Sequence, residues 1–186
     1  MDECKDIELF NYLFTNYKAR FIHFARTYVD TEMLAEDIAV ESFMYYWENR
    51  NKLESHSNVL AYILTVVKHK CLDYLRQQRV KEDYVEYEKN NATRKLNLRV
   101  TTLEACDPEE IFSKEVQEIV DHTLLKLPVE TRDIFIRSRY HNQNHKDIAE
   151  DLNISTKTVE FHITKALSVL RVALKDYMSV WIFFGI

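Results

Sequence analysis

Apolar residues return at helical spacing through most of this chain. Leu9, Phe10, Leu13, Phe14 and Tyr17 form one run, and Phe21, Phe24, Ala25 and Tyr28 a second. A third, over 33–47, carries Leu34, Ile38, Ser42, Phe43, Tyr46 and Trp47. A fourth, over 59–79, carries Leu60, Ile63, Leu64, Val67, Cys71, Leu72 and Leu75. Each pattern predicts an amphipathic helix with one apolar stripe. Thr31 suits the N-cap of the third helix, with Asp30 as the neighbouring alternative, and Ser57 or Asn58 suits that of the fourth.

The pattern fades over 80–110, where KEDYVEYEKNNATRKLNLRV is polar, charged and rich in Asn. This stretch reads as a linker, mobile or only weakly helical. It closes on Asp107-Pro108-Glu109-Glu110, a strong helix start: a capping carboxylate, a proline where no backbone donor is needed, and two acids at the positive helix end. Helical spacing resumes with Val116, Ile119, Val120, Thr123 and Leu124 and breaks at Leu127-Pro128. It returns over 131–140 with Ile134, Phe135 and Ser138 inward.

Residues 146–175 predict a short helix, a tight turn and a longer helix, the helix-turn-helix plan. Ile148, Ala149 and Leu152 are apolar on the first helix; Val159, Ile163, Ala166, Leu167 and Leu170 share a face of the second. Ala149 is small enough for a close crossing, and Ile154 and Val159 fill the angle between the helices. Asn153 falls where the chain needs a left-handed residue, which Asn tolerates best after Gly. Ser155 stands at the N-cap. The outward face carries Lys157, Thr158, His162 and Lys165, flanked by Glu160, Phe161, Arg171 and Lys175. Over 155–175 four basic residues face Glu160 alone, as suits a helix against phosphates. An ordinary helical hairpin with a solvated basic face has the same spacing.

Composition narrows the classes. One Gly, Gly185, and two Pro in 186 residues leave too few turn residues for a hairpin-rich β fold. They also leave no Gly-rich phosphate loop, which excludes the P-loop and the dinucleotide fingerprint. The expected fold class is all-α. Two small helical domains, 1–79 and 111–177, are joined by a flexible linker over 80–110, and the C-terminal one holds the helix-turn-helix. An apolar tail over 178–186 follows, far too short to span a bilayer. Cys4, Cys71 and Cys106 lack zinc spacing and read as reduced thiols. No nucleophile–base motif stands out, and the pair His141 and His145 lies across the expected turn. The start MDECKDIELF has no signal-peptide core. These features lead us to expect a cytoplasmic protein that is not an enzyme, with no cofactor, no metal, no membrane insertion and no small-molecule substrate.

The net charge of −5 hides a division. Over 32–48 stand Glu32, Glu36, Asp37, Glu41 and Glu48 with no Lys or Arg. Such a helix is either simply solvated or docks on a basic partner, with Asp37, Glu41, Tyr45 and Glu48 on one face. The next helix reverses the sign: Lys68, Lys70, Arg76 and Arg79 against Asp73, interleaved with Tyr62, His69 and Tyr74. Bases mixed with aromatic rings suit melted nucleic acid, whose unpaired bases stack on rings. Core aromatics with snorkelling basic side chains give the same pattern.

Together these features resemble the bacterial RNA polymerase sigma factors of the extracytoplasmic-function (ECF) group, over nearly the whole chain. AEDIAVESFMYYWENR, residues 35–50, is similar to the family's region 2.2, with Asp37, Glu41, Phe43 and Trp47 at matching positions. AYILTVVKHKCLDYLRQQ, residues 61–78, is similar to regions 2.3 and 2.4 through Tyr62, Lys68, Asp73, Tyr74 and Arg76. LPVETRDIFIRSRY and KDIAEDLNISTKTVEFHITKALSVLR are similar to region 4. Val40 stands where Gln is frequent, His69 where Asn is frequent, and Asn142 and Asn153 where Gly is customary.

The resemblance implies binding to core RNA polymerase, at the β′ clamp through Asp37, Glu41, Phe43 and Trp47, and also at the β flap. It implies capture of the promoter −10 element by Asn49, Arg50, Leu53, Ser57, Lys68, His69, Lys70, Tyr74 and Arg76, with a base flipped into a pocket lined by the first four. It implies reading of the −35 element by Ser155, Thr156, Lys157, Thr158, Phe161, His162 and Lys165. An anti-sigma factor is a further expected partner. The alternative is a helix-turn-helix regulator acting without the polymerase, which would need neither the acidic helix nor the basic one after it.

Overall fold

The computed structural model describes residues 3–53, 57–83 and 90–184. Its elements are α1 (Glu3–Arg26), α2 (Glu32–Asn49), a 3-10 turn (Arg50–Lys52), α3 (Val59–Asp83), α4 (Asn90–Glu104), α5 (Pro108–Ile111), α6 (Lys114–Lys126), α7 (Val129–Arg139), α8 (His145–Leu152), α9 (Thr156–Ala173) and α10 (Met178–Phe184). No strand occurs among the described residues.

Local chemistry sets most boundaries. The first two apolar runs are one helix, because Lys18, Ala19 and Arg20 between them are good helix formers with no cap or breaker. Thr31 Oγ1 accepts the Leu34 N–H at 3.2 Å and starts α2. Asn58 Oδ1 accepts the Ala61 N–H at 3.2 Å and starts α3. Asp107 Oδ1 accepts the N–H groups of Glu109 and Glu110 ahead of α5. Ser113 and Ser155 cap α6 and α9 in the same way.

Helices α1, α2 and α3 pack around Phe21, Phe24, Phe43, Ile63, Leu64 and Leu75, all fully buried. Phe43 meets Phe14 edge-on at 5.2 Å and stacks on Phe21 at 5.6 Å. The expected linker, 80–110, is in part helical. Residues 84–89 lie outside the described residues, but 90–104 form α4, which lies along α3. Its Leu96 and Leu103 are buried and Val100 packs beside them. That spacing of four and seven residues is a narrow apolar stripe, enough to seat a polar helix on a neighbour.

The helix-turn-helix has its own small core of Ile134, Ile148, Ala149, Val159 and Ile163. Asn153 ends α8 at φ 53° and ψ 46°, and Asn142 ends the α7 turn at φ 53°. Both are left-handed, as a chain with Gly only at its end requires.

A second, larger core runs through both halves. Val116, Val120, Leu124, Phe135, Ala166 and Leu170 belong to the same buried cluster as Phe24, Leu103 and Phe112. The apolar tail completes it. Phe183 of α10 lies 5.7 Å from both Phe24 and Phe112, and Phe184 lies 5.8 Å from Phe135. Arg20, 6% exposed, sits in this junction with its guanidinium 4.1 Å from the Tyr140 ring and 5.5 Å from that of Phe183. Among the described residues its Nε and Nη2 have no hydrogen-bond partner, and ring faces help to hold the charge.

Candidate polymerase and nucleic-acid interfaces

The buried side of α2 is Ala35, Ile38, Ala39, Ser42, Phe43 and Tyr46, a regular helical repeat. That repeat aims Asp37 and Glu41 outward, with Glu48 beside them. Glu41 pairs with Lys70 at 2.6 Å and Glu36 with Lys18 at 2.7 Å. Asp37 has no such partner among the described residues. The exposed Met33, Met44 and Tyr45 flank these acids, a mixed apolar and acidic stripe that charge counting alone missed. Two of the four expected contact residues lie elsewhere. Phe43 has no exposed surface and supports α2 from behind, which corrects its assignment as a contact. Trp47 lies at the edge of the outward face, half-buried against Phe10 at 5.2 Å, with Arg50 stacked 3.8 Å over its ring. At about 100° per residue, position 43 lies about 120° or more from 37 and 41, and position 47 about 80° from 37.

On α3, Lys68, Lys70 and Arg76 are engaged within the chain. Lys68 Nζ donates to the carbonyls of Glu104 at 3.0 Å and Cys106 at 2.7 Å, at the end of α4 where free carbonyls favour a cation. Arg76 pairs with Glu104 at 3.3 Å and Asp73 at 3.6 Å. The Tyr74 hydroxyl donates to the Asp30 carboxylate, which also pairs with Arg99 of α4. His69 and Arg79 are exposed. Ahead of α3, Arg50 also pairs with Asp6 at 3.4 Å, and Asn49 Nδ2 donates to the Tyr45 carbonyl. Leu53 packs on the core and Ser57 is exposed; residues 54–56 between them lie outside the described residues.

On α9, Thr156, Lys157, Phe161 and Lys165 are exposed together. Ser155 Oγ accepts the Thr158 N–H at 3.1 Å and lies 2.9 Å from the Thr158 hydroxyl, so both side chains shape the helix start. His162 turns inward. Its Nδ1 is 2.9 Å from Thr131 Oγ1, a fully buried hydroxyl on α7, and its Nε2 is 3.9 Å from Glu130. It braces α9 against α7 instead of joining the outward face.

A polar cavity of about 360 Å³ opens between α1 and the α7–α8 turn, lined by His23, Arg26, Arg139, Asn142 and His145 among others. Burial, and then the charges of Arg139, Arg26 and His145, push the His23 imidazole down to about 3. Among the described residues no group of three or more His, Cys, Asp or Glu is placed to hold a metal, and no helix is long and apolar enough to cross a membrane. Cys71 and Cys106 are buried thiols, pushed up to about 12 by burial, and so carry no activated thiolate at neutral pH.

Residues 13–80 match Sigma-70 region 2, and residues 117–170 match Sigma-70 region 4. A Haemophilus influenzae protein named "Probable RNA polymerase sigma factor" is 23% identical over 175 residues, covering 89% of this chain and 87% of that protein. A co-crystal structure of the sigma factor RpoE with the anti-sigma factor NepR from Bartonella quintana is similar at 20% identity. It covers 93% of this chain and 99% of that one, at a TM-score of 0.36. The two regions, in order and separated by α4 and α5, define a promoter-specificity subunit. The chain belongs to the sigma-70 family of RNA polymerase sigma factors, in the ECF type that carries regions 2 and 4. Its function is to bind core RNA polymerase and promoter DNA and direct transcription initiation. Sigma factors as a family are not enzymes, and a regulator acting without the polymerase is not favoured.

Proposed function

We propose that the division of labour follows the charge on the surface. The exposed stripe of α2, with Asp37 and Glu41 at its centre and Met33, Met44 and Tyr45 around them, docks on a basic coiled coil of the polymerase β′ clamp. Region 4, 111–177, takes the β flap and reads the −35 element through Thr156, Lys157, Phe161 and Lys165, with Ser155 and Thr158 fixing the helix start. Region 2, 1–79, captures the −10 element through Asn49, Arg50, Leu53, Ser57, His69 and Tyr74 and grips its phosphates with Lys68, Lys70 and Arg76. The protein acts in the cytoplasm without catalysing a reaction, and an anti-sigma factor restrains it.

The observation that carries this reading is the bare Asp37 beside an acid held only by a surface pair. Glu41 and Lys70 are 63% and 34% exposed, and such pairs contribute about 0–1 kcal/mol, so a partner's arginines displace Lys70 at little cost. Asp37→Lys with Glu41→Lys is expected to abolish retention of the chain on immobilised core polymerase while its circular dichroism stays unchanged. Retention of a folded double variant would remove α2 as the docking helix.

A further inference from the structure

We propose that α10 is a latch: it holds region 4 against region 2 and keeps Lys68 and Arg76 bound to the end of α4, away from DNA. This rests on the assignment of those two residues to the −10 element made above. Three sets of contacts carry it. First, α10 buries Val180, Ile182, Phe183 and Phe184, and its two phenylalanines reach opposite ways, Phe183 to Phe24 of region 2 and Phe184 to Phe135 and Tyr140 of region 4. Second, the helix is fastened at both ends. The Asp107 N–H donates to Ser179 Oγ at 3.0 Å, Arg139 Nε donates to the Phe184 carbonyl at 3.1 Å, and Trp181 Nε1 donates to the Leu174 carbonyl at 3.0 Å. Third, the fastened residue Asp107 follows Cys106, whose carbonyl accepts from Lys68. The segment 106–107 is therefore held from one side by the basic helix and from the other by the tail.

The same junction contains the means of opening. Arg20 is buried there with two nitrogens that find no hydrogen-bond partner among the described residues, and the desolvation of such a charge disfavours the state that encloses it. The closed form is thus held by an apolar core, which α10 completes from both sides, against an opposing electrostatic cost. Such a balance is readily tipped when the polymerase or DNA binds the halves separately.

The test uses two forms, a chain ending after Tyr177 and a full-length chain with Phe183→Ala and Phe184→Ala. Each is treated briefly with an amine-acylating reagent, and labelling of Lys68 is read by mass spectrometry against Lys157 in the same molecule. Helix content and a cooperative melt are recorded alongside. With the fold retained, Lys68 labelling is expected to rise about tenfold over the intact chain in either form. Unchanged Lys68 labelling overturns the latch. So does loss of the cooperative melt in both forms, because α10 is then a structural part of the fold. If Lys68 is released but Lys68→Ala leaves −10-dependent transcription by core polymerase unaltered, the latch stands and the −10 assignment of Lys68 fails.

Discussion

His23 offers a test of the closed arrangement that needs neither polymerase nor promoter. Its imidazole is enclosed between α1 and the α7–α8 turn, hydrogen-bonded to Asn142, with Nε2 unpartnered and Arg139, Arg26 and His145 nearby. Burial first, and these cations second, bring its pKa from 6.5 down to about 3. The unfolded or opened chain therefore takes up the proton before the closed form does. His23 contributes its full stability above about pH 6.5 and loses it progressively as the pH falls toward 3. At about pH 5 the loss from this one ring is about 2 kcal/mol, a factor of about thirty. That figure barely depends on the folded value so long as it stays below about 4, because the enclosed ring is neutral at pH 5 in either case. Other groups titrate over the same range, so the comparison is with His23→Gln, which keeps a polar side chain but no proton to gain. Urea unfolding at about pH 7.5 and about pH 5 should show the midpoint of the parent chain falling about 1 M further than that of the variant. Parallel losses in the two proteins would refute the enclosure of His23.

Two further outcomes follow from local geometry. Asn153→Gly should leave the helix-turn-helix intact, whereas Asn153→Val should cost at least roughly 1–2 kcal/mol, because a branched side chain strongly disfavours φ 53°; equal thermal midpoints would contradict this. Lys165→Glu should weaken transcription from promoters that depend on a −35 element and leave core polymerase binding unchanged. Run-off assays on templates with an intact or scrambled −35 element check it, and an unaffected intact template would remove Lys165 from the interface.

The caps and left-handed turns were legible because they are local: Thr31, Asp107, Asn153 and Ser155 each bond within a few residues of themselves. The apolar stripes were legible for the same reason. What escaped depends on contacts distant in sequence. Phe43 and Trp47 belong to the apolar stripe of α2 by periodicity, but how far each is covered depends on Phe10, Phe14 and Phe21 of α1. His162 sits on the polar side by periodicity but finds Thr131, 31 residues away. The seat of α4 was masked by the polar residues around Leu96, Val100 and Leu103, although their spacing was there to be read. The tail was visible as apolar, but its joint use by both halves was not.

The ring-bound Arg20 has a consequence for how the molecule answers ionic strength. A buried guanidinium against aromatic faces is little screened by salt, whereas phosphate contacts weaken steeply as counter-ions compete. Rising salt should therefore weaken promoter binding well before it parts the two halves. Folding back and letting go of the promoter become separable events, with salt acting on one and the packing of a few aromatic rings governing the other.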